Sequence, residues 1–448
     1  MIHKFSIDGK YFLLDVESGA IHAIDSLTYK VLDYYPELPK DEVLKKFPDD
    51  TEEVSEIIDE LEILRKEGSL FAEADFSDYS AKVMAGKNVV KALCLHAAHD
   101  CNFKCRYCFA SEGEYKGERS LMSLEVGKKA LDFILENSGS RVNLEVDFFG
   151  GEPMMNFDVV KQLVEYGRQR EKEYGKNFRF TLTTNALLLN DNNMDYINEV
   201  MDNVVLSLDG RPEVNDRMRP TANGKGSYDI ILPKIKKMSE KRGGKDHYIR
   251  GTYTRYNLDF AQDVLHMADL GFKNVSVEPV VAESTADYAI REEDLPVLFQ
   301  QYEYLAKEMI KRNKEGRGFN FFHFNIDFTG GPCVIKRLRG CGAGTEYLAV
   351  TPEGDLYPCH QFVGEEDFKM GTVYEGVTNM EKLEEFRKVN VYAKEECSKC
   401  WARYYCSGGC AANAYKYGGS ILSPYSVGCE LLKKRVECAI MIKAESMN

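Results

Sequence analysis

His99-Asp100-Cys101-Asn102-Phe103-Lys104-Cys105-Arg106-Tyr107-Cys108-Phe109 is the stretch on which the reading of this chain turns. Its cysteines are spaced C-x-x-x-C-x-x-C. Thiolates are the usual ligands of a [4Fe–4S] cluster, and a cuboidal cluster normally takes four of them. Three on one tight loop leave an iron open to a ligand that is not protein. The competing readings are a zinc loop and a C-x-x-C redox pair. Zinc sites usually draw four ligands as two spaced pairs, and no second pair lies nearby in sequence.

Outward from this loop, strand and helix patterns alternate. Strands are expected at Lys91–His96, Val142–Phe148, Phe178–Thr184, Val204–Leu208, Tyr248–Thr254 and Asn274–Glu278. Helices are expected at Ser123–Asn137, Asn156–Tyr174, Asp191–Met201, Tyr228–Lys241, Asn257–Leu270 and Glu292–Lys311. Ser123 and Asn257 suit N-caps, and Gly271 suits the residue after a helix end. Six β/α units imply an α/β fold with a parallel sheet and right-handed crossovers. Several polar motifs fall at strand ends: Gly150-Gly151-Glu152-Pro153, Thr183-Thr184-Asn185 and Ser207-Leu208-Asp209-Gly210. Adjacent glycines let backbone groups approach a ligand, although each motif also suits a plain turn or cap. Arg219, Arg250 and Glu278 lie near strand ends too and are candidates for polar contacts with substrate or cofactor.

The C-terminal part holds a second run of cysteines. Cys341 is followed by twelve residues, Gly354, four residues and Cys359. Cys397-x2-Cys400-x5-Cys406-x3-Cys410 comes next, and finally Cys429. Gly354 suits a hairpin between Tyr347–Val350 and Leu356–Tyr357. A pair of zinc sites is the alternative. Cys94 and Cys438 fall in apolar patterns and are expected to be buried. Trp401 and Tyr404-Tyr405 are expected to pack around these cysteines.

At the N-terminus, Lys4–Ile7 and Tyr11–Val16 flank the turn Asp8-Gly9, and Ala20–Ile24 is a third strand candidate. Helices follow at Leu27–Tyr35, capped by Ser26, at Asp41–Phe47 and at Thr51–Lys66. Three strands and three helices look like a small winged-helix (α+β) domain. Asp50, Glu52, Glu53, Glu56, Asp59, Glu60 and Glu62 would repel a phosphate backbone. The divisions expected are 1–75, a linker at 76–90, a core at 91–315 and a C-terminal domain at 316–448.

The net charge of −14 over 448 residues argues against nucleic acid or an anionic membrane as main partner. No signal peptide or membrane span is visible, and thirteen cysteines then point to metal ligation in a reducing cytoplasm.

The cysteine loop, with Tyr107 just before its third cysteine, resembles the signature of radical S-adenosylmethionine enzymes. The resemblance implies a partial (β/α)6 TIM-like barrel, with the cofactor's methionine group on the iron left open by Cys101, Cys105 and Cys108. It implies cofactor contacts from Tyr107, Gly150, Gly151, Glu152, Asn185, Ser207 and Asp209, with the amino group received at Gly150-Gly151-Glu152. The C-terminal cysteines resemble the SPASM extension, which implies two auxiliary [4Fe–4S] clusters and three in all. Cys397, Cys400, Cys406 and Cys429 would hold the outer cluster, and Cys341, Cys359 and Cys410 the inner one. In relatives an upstream cysteine completes the inner cluster or its fourth site is left to substrate; Cys333 is either that ligand or a bystander, and an open site is the expectation. The N-terminal part resembles elements that bind a precursor's leader peptide as an added strand.

Together these features resemble peptide maturases that join cysteine sulfur to carbon (sactipeptide type), nearest to those of six-cysteine (SCIFF) peptides. The partners implied are a cysteine-rich precursor peptide and a one-electron reductant such as ferredoxin or flavodoxin. Anaerobic sulfatase maturases, which oxidise Cys or Ser to formylglycine, are the rival within the superfamily. They place an aspartate where His360 stands, which leaves His360 as a candidate base or a structural residue. A non-catalytic iron–sulfur peptide carrier is the reading from another class.

Overall fold

The computed structural model of the protein describes residues 1–73, 89–328 and 338–447. Cys333 and most of the expected linker lie outside them. The N-terminal strands β1 (Ile2–Ile7), β2 (Lys10–Asp15) and β3 (Ile21–Ile24) form an antiparallel sheet in the order β1-β2-β3. Helices α1 (Ser26–Val31), α2 (Lys40–Leu44) and α3 (Thr51–Lys66) follow. Period-two alternation explains the packing. Leu13 joins Val31, Val43, Val54, Ile58 and Leu61 on the helical side. Phe5, Ile7, Phe12 and Leu14 enter the main core of the chain. The small sheet is thus covered on both faces. Asp25, not Ser26, caps α1, because its carboxylate accepts from both Leu27 N and Thr28 N at 2.8 and 2.7 Å.

The central sheet contains all six expected strands: β4 (Ala92–His99), β6 (Asn143–Gly150), β7 (Asn177–Thr184), β8 (Asn203–Ser207), β9 (His247–Tyr253) and β10 (Asn274–Pro279). The two-residue β5 (Ser120–Leu121) pairs with β4 at its edge. Neighbours along β4-β6-β7-β8-β9-β10 are all parallel. Helices α4 (Leu124–Asn137), α5 (Phe157–Tyr174), α6 (Asp191–Val200), α7 (Pro212–Met218), α8 (Tyr228–Arg242), α9 (Phe260–Asp269) and α10 (Leu295–Lys314) lie between or after them. The expected cap Ser123 accepts from Val126 N. Asn257 does not cap α9. Its Oδ1 accepts from Thr254 N at 2.8 Å, closing a 3₁₀ turn, and the helix starts after Asp259.

The sheet continues past both ends of the six-strand set. The short β11 (Asn320–Phe321) lies parallel on β10, and β12 (Tyr347–Val350) lies parallel on β4. From β12 the path turns antiparallel through β13 (Asp355–Tyr357), β14 (Gly371–Thr372) and β15 (Gly376–Val377). One sheet therefore crosses the division expected at 315/316. Short helices follow: α11 (Met380–Arg387), α12 (Glu395–Ser398) with Cys397, α13 (Arg403–Cys406) with Cys406, and α14 (Ala411–Gly418), whose N-cap is Cys410. The long α15 (Ser426–Met447) packs against α10 and β1. Among the described residues no helix is long and apolar enough to cross a membrane.

Candidate functional site

Strand β4 runs up to His99, so the cysteine loop starts where the strand stops. The backbone of the loop is pinned elsewhere as well: Lys104 N donates to Pro220 O and Arg106 N to Met218 O, both at 2.9 Å. On its other side the loop meets the turn after β6. Gly151 N donates to Ala98 O (2.8 Å) and Glu152 N to Asp100 O (2.9 Å). A Cβ at Gly150 would stand 2.3 Å from Ala98 O, and one at Gly151 would stand 2.2 Å from Asp100 O. The paired glycines thus seat the cysteine loop against β6, a role additional to the ligand approach expected of them. Gly113, at φ +98°, closes the other side, with its absent Cβ between Cys101 and Gly151.

The result is a cavity of about 160 Å³ lined by Cys101, Cys105 and Cys108, by Gly150, Gly151 and Glu152, and by Asn185, Ser207 and Arg219. Four strand ends bring these residues together. Burial pushes the thiols of Cys101 and Cys105 up to about 12, so they stay protonated until a metal claims the thiolates. Glu152 is buried, and its carboxylate accepts from Thr184 Oγ1 (2.7 Å), Asn185 N (2.7 Å) and Met154 N (3.1 Å). Burial pushes it up to about 7 despite these donors. Such a group gains from a cationic neighbour, which fits an ammonium in the cavity. Asn185 donates to Asn102 Oδ1 at 2.7 Å and faces Cys101 Sγ at 3.8 Å, so it ties the loop as well as lining the cavity.

Asp209 does not line the cavity. It is fully buried and accepts from Tyr107 OH at 2.7 and 2.9 Å and from Thr252 N at 3.0 Å. Arg219 donates to the same hydroxyl at 3.1 Å. Asp209 therefore acts on the cavity through Tyr107 and Arg219, by positioning them. Arg250 and Glu278 pair with each other at 2.8 Å across β9 and β10, and Glu278 lines a separate cavity with Cys406, Cys410 and Cys429.

The remaining cysteines gather as two groups. A cavity of about 440 Å³ is lined by Cys397, Cys400, Cys406 and Cys429, with Trp401 at its wall. Burial, then the nearby Cys410 and Cys341, push the Cys359 thiol up to about 12, which marks the second group. Among the described residues no three His, Cys, Asp or Glu side chains close on a single ion. Cys94 and Cys438 are buried, as expected. Trp401 is stacked on His3 at 3.7 Å, which ties the outer group to β1. His360 is held by Tyr347 OH (3.0 Å), flanked by Phe109 and Phe149, and pushed down to about 4 by burial.

Three features escape sequence reasoning. One is the mutual pairing of Tyr107, Asp209 and Arg219, each a candidate by itself. A second is the buried pair of Glu17 with Arg403, whose other donors reach Ser398 O and Cys400 O in the outer cysteine loop. The third is Lys394, a lysine only 1% exposed, with Nζ on Gly408 O at 2.7 Å.

A 4Fe-4S single cluster domain model matches residues 86–233, and an iron–sulfur cluster-binding SPASM model matches residues 341–401. Both matched regions are iron–sulfur domains, and the chain is similar to radical S-adenosylmethionine proteins of the SPASM kind. It is 28% identical over 359 residues to an uncharacterized protein of Archaeoglobus fulgidus, covering 77% of this chain and 80% of that one. It is 20% identical over 479 residues to the radical SAM cyclopropyl synthase TigE of Paramaledivibacter caminithermalis, covering 95% and 91%. Among solved structures, native anSMEcpe with bound AdoMet and the Cp18Cys peptide aligns with a TM-score of 0.65 at 20% identity, over 80% of this chain and 99% of that one. Streptococcus suis SuiB bound to its precursor peptide SuiA aligns at 0.52 and 18%, over 94% and 97%.

Proposed function

We propose that this chain is a maturase that forms thioether bonds, from cysteine sulfur to carbon, in a ribosomally made cysteine-rich precursor peptide. The observation that carries the reading is the single cavity shared by Cys101, Cys105 and Cys108 with Gly150, Gly151 and Glu152. In this reading those three cysteines hold the open-site [4Fe–4S] cluster beside S-adenosylmethionine. Cys397, Cys400, Cys406 and Cys429 hold the outer auxiliary cluster, and Cys341, Cys359 and Cys410 the inner one. When bound, cluster and cofactor supply a one-electron cleavage that yields methionine and a hydrogen-abstracting 5′-deoxyadenosyl radical.

The protein's own part is positioning. Glu152 receives the cofactor's amino group, Ser207 and Asn185 border its polar end, and Arg219 is held for the same cavity by Tyr107 and Asp209. The N-terminal winged-helix-like unit takes the leader peptide along β3, whose outer edge is unpaired among the described residues. The core is read as a partial barrel, an external ferredoxin or flavodoxin as reductant, and the cytoplasm as compartment. Support for a peptide substrate comes from the full-length likeness to a structure holding a precursor peptide. His360, walled in by aromatic rings and pushed down to about 4, is a poor base near neutral pH. The absence of an aspartate at this position favours thioether formation over formylglycine formation.

The test is anaerobic incubation with reductant, S-adenosylmethionine and a cysteine-rich peptide encoded beside the gene, followed by mass spectrometry. Each bridge removes two hydrogens, about 2 Da in all, and shields one cysteine from alkylation. Failure to form 5′-deoxyadenosine, with or without peptide, leaves only the carrier reading.

A further inference from the structure

Lys394 is among the largest side chains of the molecule to be fully buried. A buried lysine is normally paired with a carboxylate. Among the described residues no Asp or Glu forms an ion pair with Lys394, and its recorded partner is the neutral carbonyl of Gly408. That carbonyl is aimed by backbone built for the purpose. Ser407, Gly408 and Gly409 are consecutive left-handed residues (φ +59°, +83° and +72°) that link Cys406 of the outer group to Cys410 of the inner group. Gly408 lines both the outer cavity and the adjoining one of about 290 Å³ that holds Cys410. Burial pulls the ammonium below the usual lysine range, and the charges of Cys397, Cys406, Cys410 and Cys429 oppose that pull.

We propose that Lys394 is a charge-compensating residue for the auxiliary clusters, and that its fixed cation raises their reduction potentials. The proposal rests on the reading that these cysteines hold clusters. A reduced cluster carries one more negative charge than an oxidised one. A cation held in low dielectric behind Gly408, which borders both cavities, stabilises that extra charge more than solvent would. Lys394 touches no reacting atom here, so it tunes and positions rather than reacts.

The test compares the full-length parent with Lys394→Gln and Lys394→Arg, each purified anaerobically, by iron analysis and by redox titration followed with electron paramagnetic resonance. Gln can keep the hydrogen bond to Gly408 O without the charge, and Arg keeps the charge. Lys394→Gln is expected to make reduction of an auxiliary cluster at least tenfold less favourable, about 59 mV for one electron, while Lys394→Arg stays near the parent. A parent midpoint in Lys394→Gln, with full iron, overturns the proposal. Loss of auxiliary iron in Gln but not in Arg supports a charge requirement, and loss in both overturns it in favour of packing. If the parent itself carries only about four irons rather than about twelve, it is the cluster reading that has failed.

Discussion

Gly151→Ala gives a sharp test of how the cysteine loop is held. The new Cβ would sit 2.2 Å from Asp100 O, against backbone on both sides with no flexible side chain to yield. Reaching a contact of about 3.4 Å requires a separation of about 1.2 Å, the difference of those two values. The same motion stretches the hydrogen bonds Gly151 N–Ala98 O and Glu152 N–Asp100 O, now 2.8 and 2.9 Å. Overpacking and weakened buried hydrogen bonds together cost about 2–5 kcal/mol. A domain stable by about 5–15 kcal/mol still folds, so the damage falls on geometry. A shift of about 1 Å at a reacting site costs about a hundredfold in rate. The assay is 5′-deoxyadenosine formed per chain under anaerobic reduction, with melting temperature measured in parallel. Gly175→Ala is the control: φ is +62°, nothing lies within 4 Å, and only left-handed strain of about 1–2 kcal/mol is added. If Gly151→Ala turns over like Gly175→Ala, the seating argument is wrong.

Three further outcomes are expected. Glu152 has its carboxyl raised to about 7 from an ordinary 4.5, so the ligand-free folded chain binds more protons than the unfolded one between those values. Stability then falls as pH rises through that window, by about 3 kcal/mol from this residue; Asp147 and Asp209 are raised too, so the check is the difference between parent and Glu152→Gln melting curves, and equal slopes refute it. Tyr107→Phe strips Asp209 and Arg219 of a shared buried partner and should cost about 1.5–3 kcal/mol in denaturant unfolding; an unchanged midpoint refutes that. Glu17→Met leaves the Arg403 guanidinium buried without its partner, at about 3–5 kcal/mol; hydrogen exchange should quicken in residues 397–406 as well as in β1 and β2, and a change confined to the N-terminal sheet argues against the coupling.

What the sequence made legible was local. Cysteine spacing, the caps Ser123 and Gly271, and the alternation in Leu144-Val146-Phe148 are each written within a few residues. The parallel pairing of β12 with β4 was not legible, because it joins residues some 250 positions apart and leaves no periodicity of its own. Gly150 and Gly151 were flagged for the right property, and the fold adds a second neighbour that demands it. The sequence says that a Cβ is intolerable there; only the fold says that carbonyls of Ala98 and Asp100 forbid it.

Charge burial is the step no motif foretells, and it bears most directly on function. The chain is acidic overall, at −14, so carboxylates to neutralise a buried cation are plentiful. Arg403 uses one, Glu17, and Arg219 lies 3.8 Å from another, Asp209. Lys394 uses none and instead holds the carbonyl of Gly408, between Cys406 and Cys410, where the charges of four cysteines favour its ammonium. An ammonium so placed is costly while those sulfurs are neutral thiols and is compensated once they carry charge. A protein meant to stay empty at this point would gain from an apolar residue at 394. The lysine is therefore best understood as part of a site whose complete form is anionic. Iron retention and the midpoints of Lys394→Gln thus probe both what that site holds and how readily it takes an electron.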